Sequence, residues 1–142
     1  MPEQECEDVK AYIFPQGKGG NGIKDSWLLL DSESSIHLIK NPKLLSNIQR
    51  APNGASMVIA CNAGTARTCL VGDMKGVGVV WYYKYGIANV LSLGLLSDKF
   101  RITMDTEIDN ALYVHKSRTF QRFERSSSNL YYTNMGNKRE PS

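Results

Sequence analysis

Trp27-Leu28-Leu29-Leu30-Asp31-Ser32-Glu33-Ser34-Ser35 decides the fold. Four apolar residues in a row, too short for a stable helix and closed by a polar cluster, predict a buried strand. The strand delivers a carboxylate to its end, with hydroxyls on either side of Glu33. A buried carboxylate is costly unless it is hydrogen-bonded or paired, and Ser32 and Ser34 are the nearest candidates to supply those bonds. The plain alternative is that Asp31 caps a turn after a strand.

Downstream, Ile36–Ile39 is a second short strand, and Asn41-Pro42 opens a helical turn with Asn41 as cap and Pro42 in the first helical position. Leu44, Leu45 and Ile48 are its apolar side. Residues 57–61 and 67–71 are two strands joined by the turn signal Asn62-Ala63-Gly64-Thr65, a β-hairpin. Val77–Tyr83 is rich in Val, Trp and Tyr and is β-forming. Ile87–Leu91 is a further apolar stretch. Ser92–Lys99 reads as a short helix with Leu93, Leu95 and Leu96 in the core. Residues 100–104, 111–115 and 119–123 continue the strand–turn rhythm. Many short strands with close turn signals predict an all-β fold, a small barrel or sandwich.

Upstream, Gly17-Lys18-Gly19-Gly20-Asn21-Gly22 has linker composition. It lacks the Gly-Lys-Ser/Thr of a phosphate-binding loop, so residues 1–24 are expected to form a flexible linker and the ordered domain to begin near Asp25. Residues 136–142 are a polar tail expected to fray.

Composition sets the outer limits. The chain has 142 residues, 42% hydrophobic and 22% charged, which fits one globular domain with tails rather than a disordered chain. A net charge of +3 is too small to argue for nucleic acid. The three cysteines, Cys6, Cys61 and Cys69, form no CxxC pair and are odd in number. Three reduced thiols are expected, with a Cys61–Cys69 bridge across the hairpin as the alternative. The acidic start lacks signal-peptide character, and no apolar run reaches bilayer length. No membrane partner and no cofactor are expected. His37 and His115 stand apart from other ligand-type residues, so no metal site is expected. Basic residues His115, Lys116, Arg118, Arg122 and Arg125 interleave with Phe120, Phe123, Tyr131 and Tyr132. That pattern is compatible with nucleic-acid binding, although a solvated β-meander face explains it as well, and nucleic acid is not expected as a partner of this chain alone.

The order of these segments resembles the protease region of copia-type retrotransposon polyproteins. The resemblance is carried by Trp27–Ser35 with Asn41–Ile48, then Cys61-Asn62-Ala63-Gly64, Val71-Gly72 through Gly76-Val77-Gly78, Gly86–Leu93, Phe100–Asp105 and Asn129-Leu130-Tyr131-Tyr132. It implies a retropepsin-like closed β-barrel with one short helix, homodimeric, covering residues 25–106. Residues 107–135 would be a strand-rich extension at the start of the pre-integrase region. It implies an aspartic endopeptidase that processes a Gag-Pol polyprotein at its own junctions, cytoplasmic within a virus-like particle or nuclear. Asp31 and its twofold mate would hold one proton between them, since two carboxyls a few ångströms apart do not both ionise readily. One then acts as general base on water and the other polarises the peptide carbonyl. Ser32 would bond across the dimer, and Ser34 would support the aspartate. Asn62, Ala63, Gly64 and Thr65 would form the flap, and Asn89, Val90, Leu91 and Ser92 would pack behind the active-site loop. The chain departs from the family at Glu33, where the usual residue is Gly. A catalytically impaired relic serving as a β-barrel dimerisation or binding module is the alternative function.

Overall fold

The computed structural model describes residues 7–12, 23–61 and 64–136, with the backbone alone for 7–12 and Cys61. It is almost entirely β. The strands are β1 (Glu7–Tyr12), β2 (Trp27–Asp31), β3 (Leu38–Ile39), β4 (Ser46–Arg50), β5 (Ala55–Cys61), β6 (Gly64–Thr68) and β7 (Leu70–Met74), followed by β8 (Gly78–Tyr82), β9 (Asn89–Ser92), β10 (Arg101–Thr103), β11 (Ala111–His115), β12 (Phe120–Arg125) and β13 (Tyr131–Asn134). One short helix, α1 (Leu93–Ser97), follows β9, with the Ser92 hydroxyl accepting from Leu95 N as its cap.

The strands form a three-stranded sheet, β1-β5-β6, and a ten-stranded sheet ordered β10-β11-β12-β13-β2-β9-β3-β8-β7-β4. The expected closed barrel is not formed. Among the described residues the large sheet is open, ending at β10 and β4. Its edges are a three-residue strand and a strand whose five residues are all exposed, and neither offers an apolar face to the other.

The leucine run of β2 is apolar throughout because it is covered on both faces. Successive side chains alternate. Leu28 and Leu30 join one core with Ile39, Val80, Leu91, Leu96, Val114 and Phe123. Leu29 points the other way, into a second core with Ile36, Leu38, Met57, Ile59, Ala88 and Val90. The neighbouring β9 is divided in the same manner between Val90 and Leu91. A fully buried leucine contributes about 1.5–3 kcal/mol, so this strand pair anchors both cores. β9 lies between β2, to which it is parallel, and β3, to which it is antiparallel. The loop after Asp31 therefore crosses the end of β9.

Several expectations are corrected. Glu7–Tyr12 falls in the stretch expected to be a flexible linker, yet it pairs in parallel with β5. The glycine-rich residues 17–22 and the tail from 137 lie outside the described residues. Pro42–Leu44 is the expected single helical turn, with Asn41 Oδ1 accepting from Lys43 N. Ile48 is not on that turn but on the edge strand β4, where Asn47 adopts a left-handed φ of 55° at a register shift. The polar sequence Ser-Asn-Ile-Gln-Arg carries no alternation that would announce a strand. Gly72 receives this segment closely: a Cβ there would stand 3.0 Å from Leu45 Cδ1 and 3.2 Å from Ile48 Cγ1. Leu95, expected in the core, is 41% exposed, because α1 is short and turns only Leu96 fully inward.

Cys69 is disulfide-bonded, which overturns the expectation of three reduced thiols. Cys61 pairs with Gly64 at the turn end of the hairpin, so it does not face Cys69 across the strands. Residues 107–135, expected as a strand-rich extension, supply β11, β12 and β13. β13 pairs antiparallel with β2, and Tyr132 stacks on Trp27 with ring centroids 3.8 Å apart. No helix among the described residues is long and apolar enough to cross a membrane.

Candidate functional site

Asp31 is the last residue of β2 and pairs with Ser92 on β9. On the other edge, β13 pairs only as far as Leu30, opposite Tyr131. The Asp31 carboxylate thus projects one residue beyond the covered edge. Its Oδ1 accepts from Glu33 N at 2.9 Å, an Asx-type turn that fixes the side chain against its own loop. Its Oδ2 is buried and has no hydrogen-bond partner among the described residues. Buried polar atoms are nearly always satisfied, so this oxygen is the exception to be explained. No cation pairs with Asp31 among the described residues.

The carboxylate lines a cavity of about 300 Å³ with Ser32, Leu93, Met104, Leu112, Leu130 and Tyr131. The walls are mostly apolar, and the part contributed by residues 129–131 comes from the turn before β13. That turn is closed by Ser126 N to Leu130 O at 2.7 Å, with Asn129 at a left-handed φ of 69°.

The expected serine bonds are not made. Ser34 is buried, but its hydroxyl donates to Ile36 O at 2.7 Å. Ser32 is exposed, and neither hydroxyl reaches the Asp31 carboxylate among the described residues. The Glu33 amide supplies the bond instead. Glu33 is exposed and is not among the non-glycine residues at positive φ, so the loop accepts a Cβ here without strain.

The segment behind the loop is fully buried: Asn89, Val90, Leu91 and Ser92 are each at most 2% exposed. Asn89 uses every hydrogen-bonding position of its amide. Its nitrogen donates to Asp25 O (2.8 Å) and Trp27 O (2.9 Å), and its oxygen accepts from Lys40 N and Asn41 N (2.9 Å each). One side chain therefore ties the start of β2 to the end of β3 across the strand between them. Nothing in the periodicity distinguishes such an asparagine from an ordinary strand residue.

The hairpin residues are placed elsewhere. Asn62 and Ala63 lie outside the described residues. Gly64, at φ +121°, and Thr65 line a separate cavity of about 200 Å³ with Leu38, Ile59, Tyr83 and Ala88. They do not line the Asp31 cavity.

His37 lies on the segment that leads from the Asp31 loop to β3. Its Nδ1 accepts from Ser92 N at 3.0 Å, which requires a neutral ring with its proton at Nε2. Burial, and then the nearby Lys99 ammonium, lower its pKa from 6.5 to about 4. An unfolded chain would take up that proton near 6.5 and the folded one only near 4. Between those values the unfolded state binds more protons, so stability is full above pH 6.5 and falls as pH drops towards 4. With allowance for solvent screening the loss is about 1–2 kcal/mol. Urea denaturation at pH 7 and pH 4.5 should show it, and His37→Gln, which keeps an acceptor for Ser92 N, should remove that share.

The basic and aromatic segment is largely self-paired. Arg122 bridges Asp109 at 2.8 Å and Glu124 at 2.9 Å. The Arg122 guanidinium, with help from the Tyr113 hydroxyl, holds the Asp109 carboxyl down to about 2. Phe123 is fully buried, Tyr132 donates to Glu124 at 2.8 Å, and Lys116 lies over the Phe100 ring. His115 Nε2 shares a 2.7 Å hydrogen bond with Thr103 Oγ1. Among the described residues no three His, Cys, Asp or Glu side chains gather as metal ligands. Comparison with protein-family models, with curated proteins and with solved structures finds no match for the chain.

Proposed function

We propose that the chain is a retropepsin-like aspartic endopeptidase that processes a copia-type Gag-Pol polyprotein, acting as a homodimer with one Asp31 from each copy. The observation that carries this reading is the Asp31 carboxylate: one oxygen is held by the Glu33 amide, and the other is buried without a partner at a cavity wall. A carboxylate fixed on one side and unspent on the other is suited to a group from outside the chain. A second Asp31 carboxyl sharing one proton, with a water between the pair, meets that requirement. In the reaction the charged carboxyl takes a proton from water as its oxygen bonds to the peptide carbon. The protonated carboxyl donates to the carbonyl oxygen, and the C–N bond breaks as the amine nitrogen receives a proton. The topology supports the same reading, since β9 threads between the two strands that the Asp31 loop joins. The reading requires Gly64 and Thr65 to leave the cavity they line with Tyr83 and Ala88 when substrate binds.

The second reading, a catalytically impaired relic that keeps a dimerisation or binding surface, is favoured by one observation: the described residues of the turn, Gly64 and Thr65, line another cavity and not that of Asp31. Glu33 separates the two. Its exposed carboxylate adds negative charge beside a pair that already carries one, which costs on the order of 1 kcal/mol at short range in water. Glu33→Gln should therefore raise cleavage of a junction peptide at pH 6 roughly 3- to 10-fold, by the rule that 1.4 kcal/mol is tenfold. A dimer that cleaves nothing between pH 4 and 7, as wild type or as Glu33→Gln or Glu33→Gly, would favour the relic.

A further inference from the structure

Three segments distant along the chain meet in the fold: residues 74–78 between β7 and β8, 99–103 leading into β10, and 115–120 between β11 and β12. Together they carry Lys75, Lys99, Arg101, Lys116 and Arg118, and no aspartate or glutamate. Contacts show the meeting. Lys99 donates to Val77 O at 2.7 Å, and a Cβ on Gly76 would stand 3.0 Å from Lys116 Nζ. The Lys99 and Lys116 ammonium groups lie 5.7 and 5.5 Å from the centre of the Phe100 ring. These two lysines are engaged within the chain and serve as fixed charge. Lys75, Arg101 and Arg118 are exposed and have no partner among the described residues.

Beside the cations a row of side chains crosses the sheet. Arg101 pairs with His115, and His115 with Phe120. Alternation puts this row on the face opposite to the one that Val114 and Phe123 bury in the core. With strands about 4.8 Å apart, Arg101 and Phe120 are about 10 Å apart along the row. The Phe120 ring is 54% exposed, with the His115 ring at 6.2 Å and the Tyr113 ring at 5.2 Å. The acids further along this face are spent on Arg122, which bridges Asp109 and Glu124. Core packing does not explain a phenylalanine left this open on a row that begins with an unpaired arginine.

We propose that this face binds single-stranded nucleic acid, with Lys75, Arg101 and Arg118 on phosphates and the Phe120 ring stacked on a base. The cations alone would serve any polyanion. The exposed ring selects a ligand with flat faces of its own, and base–aromatic stacking is strong and tolerant of sequence. An acidic peptide would use the cations and leave the ring idle. The proposal departs from the sequence expectation, which gave nucleic acid no part. That expectation weighed residues 115–132 by themselves, where Arg122 is consumed internally, whereas two of the three available cations come from 74–78 and 99–103. The proposal does not rest on the protease reading.

Fluorescence anisotropy of a labelled oligouridylate of about ten nucleotides, a length within the span of single-strand sites, titrated with the full chain, tests it. Three phosphate contacts predict a slope of log K against log salt of about −2, and Lys75→Gln or Arg118→Gln should each reduce its magnitude by about 0.7. Phe120→Ala should weaken binding roughly 5- to 150-fold. All three side chains are exposed, so circular dichroism should show an unchanged fold. Lys84→Gln and Arg125→Gln remove the same charge at the far ends of β8 and β12 and should leave the slope unchanged. The proposal is overturned if no binding occurs at about 50 mM salt, where phosphate contacts are strong. It is overturned equally if the loss follows Lys84 and Arg125 rather than Lys75 and Arg118. It also fails if a poly-glutamate peptide competes fully while Phe120→Ala has no effect, since the face would then take any polyanion.

Discussion

Asp31→Asn should abolish peptide cleavage while leaving the fold and the dimer in place. The substitution keeps the acceptor that Glu33 N requires, since the amide oxygen can take the place of Oδ1. It removes the one carboxylate among the described residues that line the cavity, so neither a general base nor a shared proton can form there. General acid–base catalysis contributes typically 10²–10⁴-fold, and the proposed mechanism gives both roles to copies of one residue, so the loss should be at least of that order. Because a buried, unpartnered carboxylate oxygen is a cost to the folded chain, the variant should also melt no lower than the wild type. Cleavage assays beside a thermal melt separate the two effects. Catalysis that survives the change would remove Asp31 from the chemistry.

The largest structural effect is expected at Asn89. Asn89→Leu matches its volume closely but leaves two amide N–H groups and two carbonyls without their partner. Each stranded group costs about 1–3 kcal/mol when buried. Water can reach part of this site, since Asp25 is exposed and Lys40 and Asn41 are half-buried, so a total near 3–4 kcal/mol is expected. That is a large share of the 5–15 kcal/mol typical of a domain and corresponds to a fall in Tm of about 10 °C or more. Asn89→Asp is the sharper test. It preserves the acceptor for Lys40 N and Asn41 N, yet turns an acceptor towards the Asp25 and Trp27 carbonyls. It should be as damaging as Leu at neutral pH and partly recover in acid, where a protonated carboxyl donates again. Equilibrium urea unfolding at pH 7 and pH 4 measures both.

The parts of this fold legible in the sequence are those where one short segment carries its own signal. β2 is apolar for four residues and stops at a carboxylate, the 55–68 hairpin surrounds a turn, and β8 to β12 are β-branched and aromatic. What the sequence conceals depends on partners distant along the chain. β1 is a strand by virtue of β5, some fifty residues later, and its own composition is that of a polar leader. β4 is an edge strand whose residues all face solvent, so no period marks it. The open sheet follows from the absence of any pairing between β10 and β4, which no local pattern encodes.

The site was legible to the same extent. Asp31 was identifiable by its place at the end of a buried strand. Its actual hydrogen-bond donor, a backbone amide, was not, because hydroxyls next to a carboxylate are the more conspicuous candidates. Leu93, Met104, Leu112 and residues 129–131 come to the cavity from four separate segments. The resemblance that places Asn129–Tyr132 as a landmark does not say that the landmark walls the aspartate. Strands β5 and β6, conversely, pair as a hairpin as expected from their residues, and the structure sets Gly64 and Thr65 beside residues 83–88.

Mixing the wild-type chain with the Asp31→Asn variant, under conditions where subunits exchange, puts the two-copy site to its most direct test. If each site draws one aspartate from each chain, an equal mixture retains only the dimers with two wild-type copies, and cleavage falls to about one quarter of that of the same total amount of wild type. A fall to about one half, simple dilution, would mean that one chain carries the whole site and would contradict a shared aspartate pair.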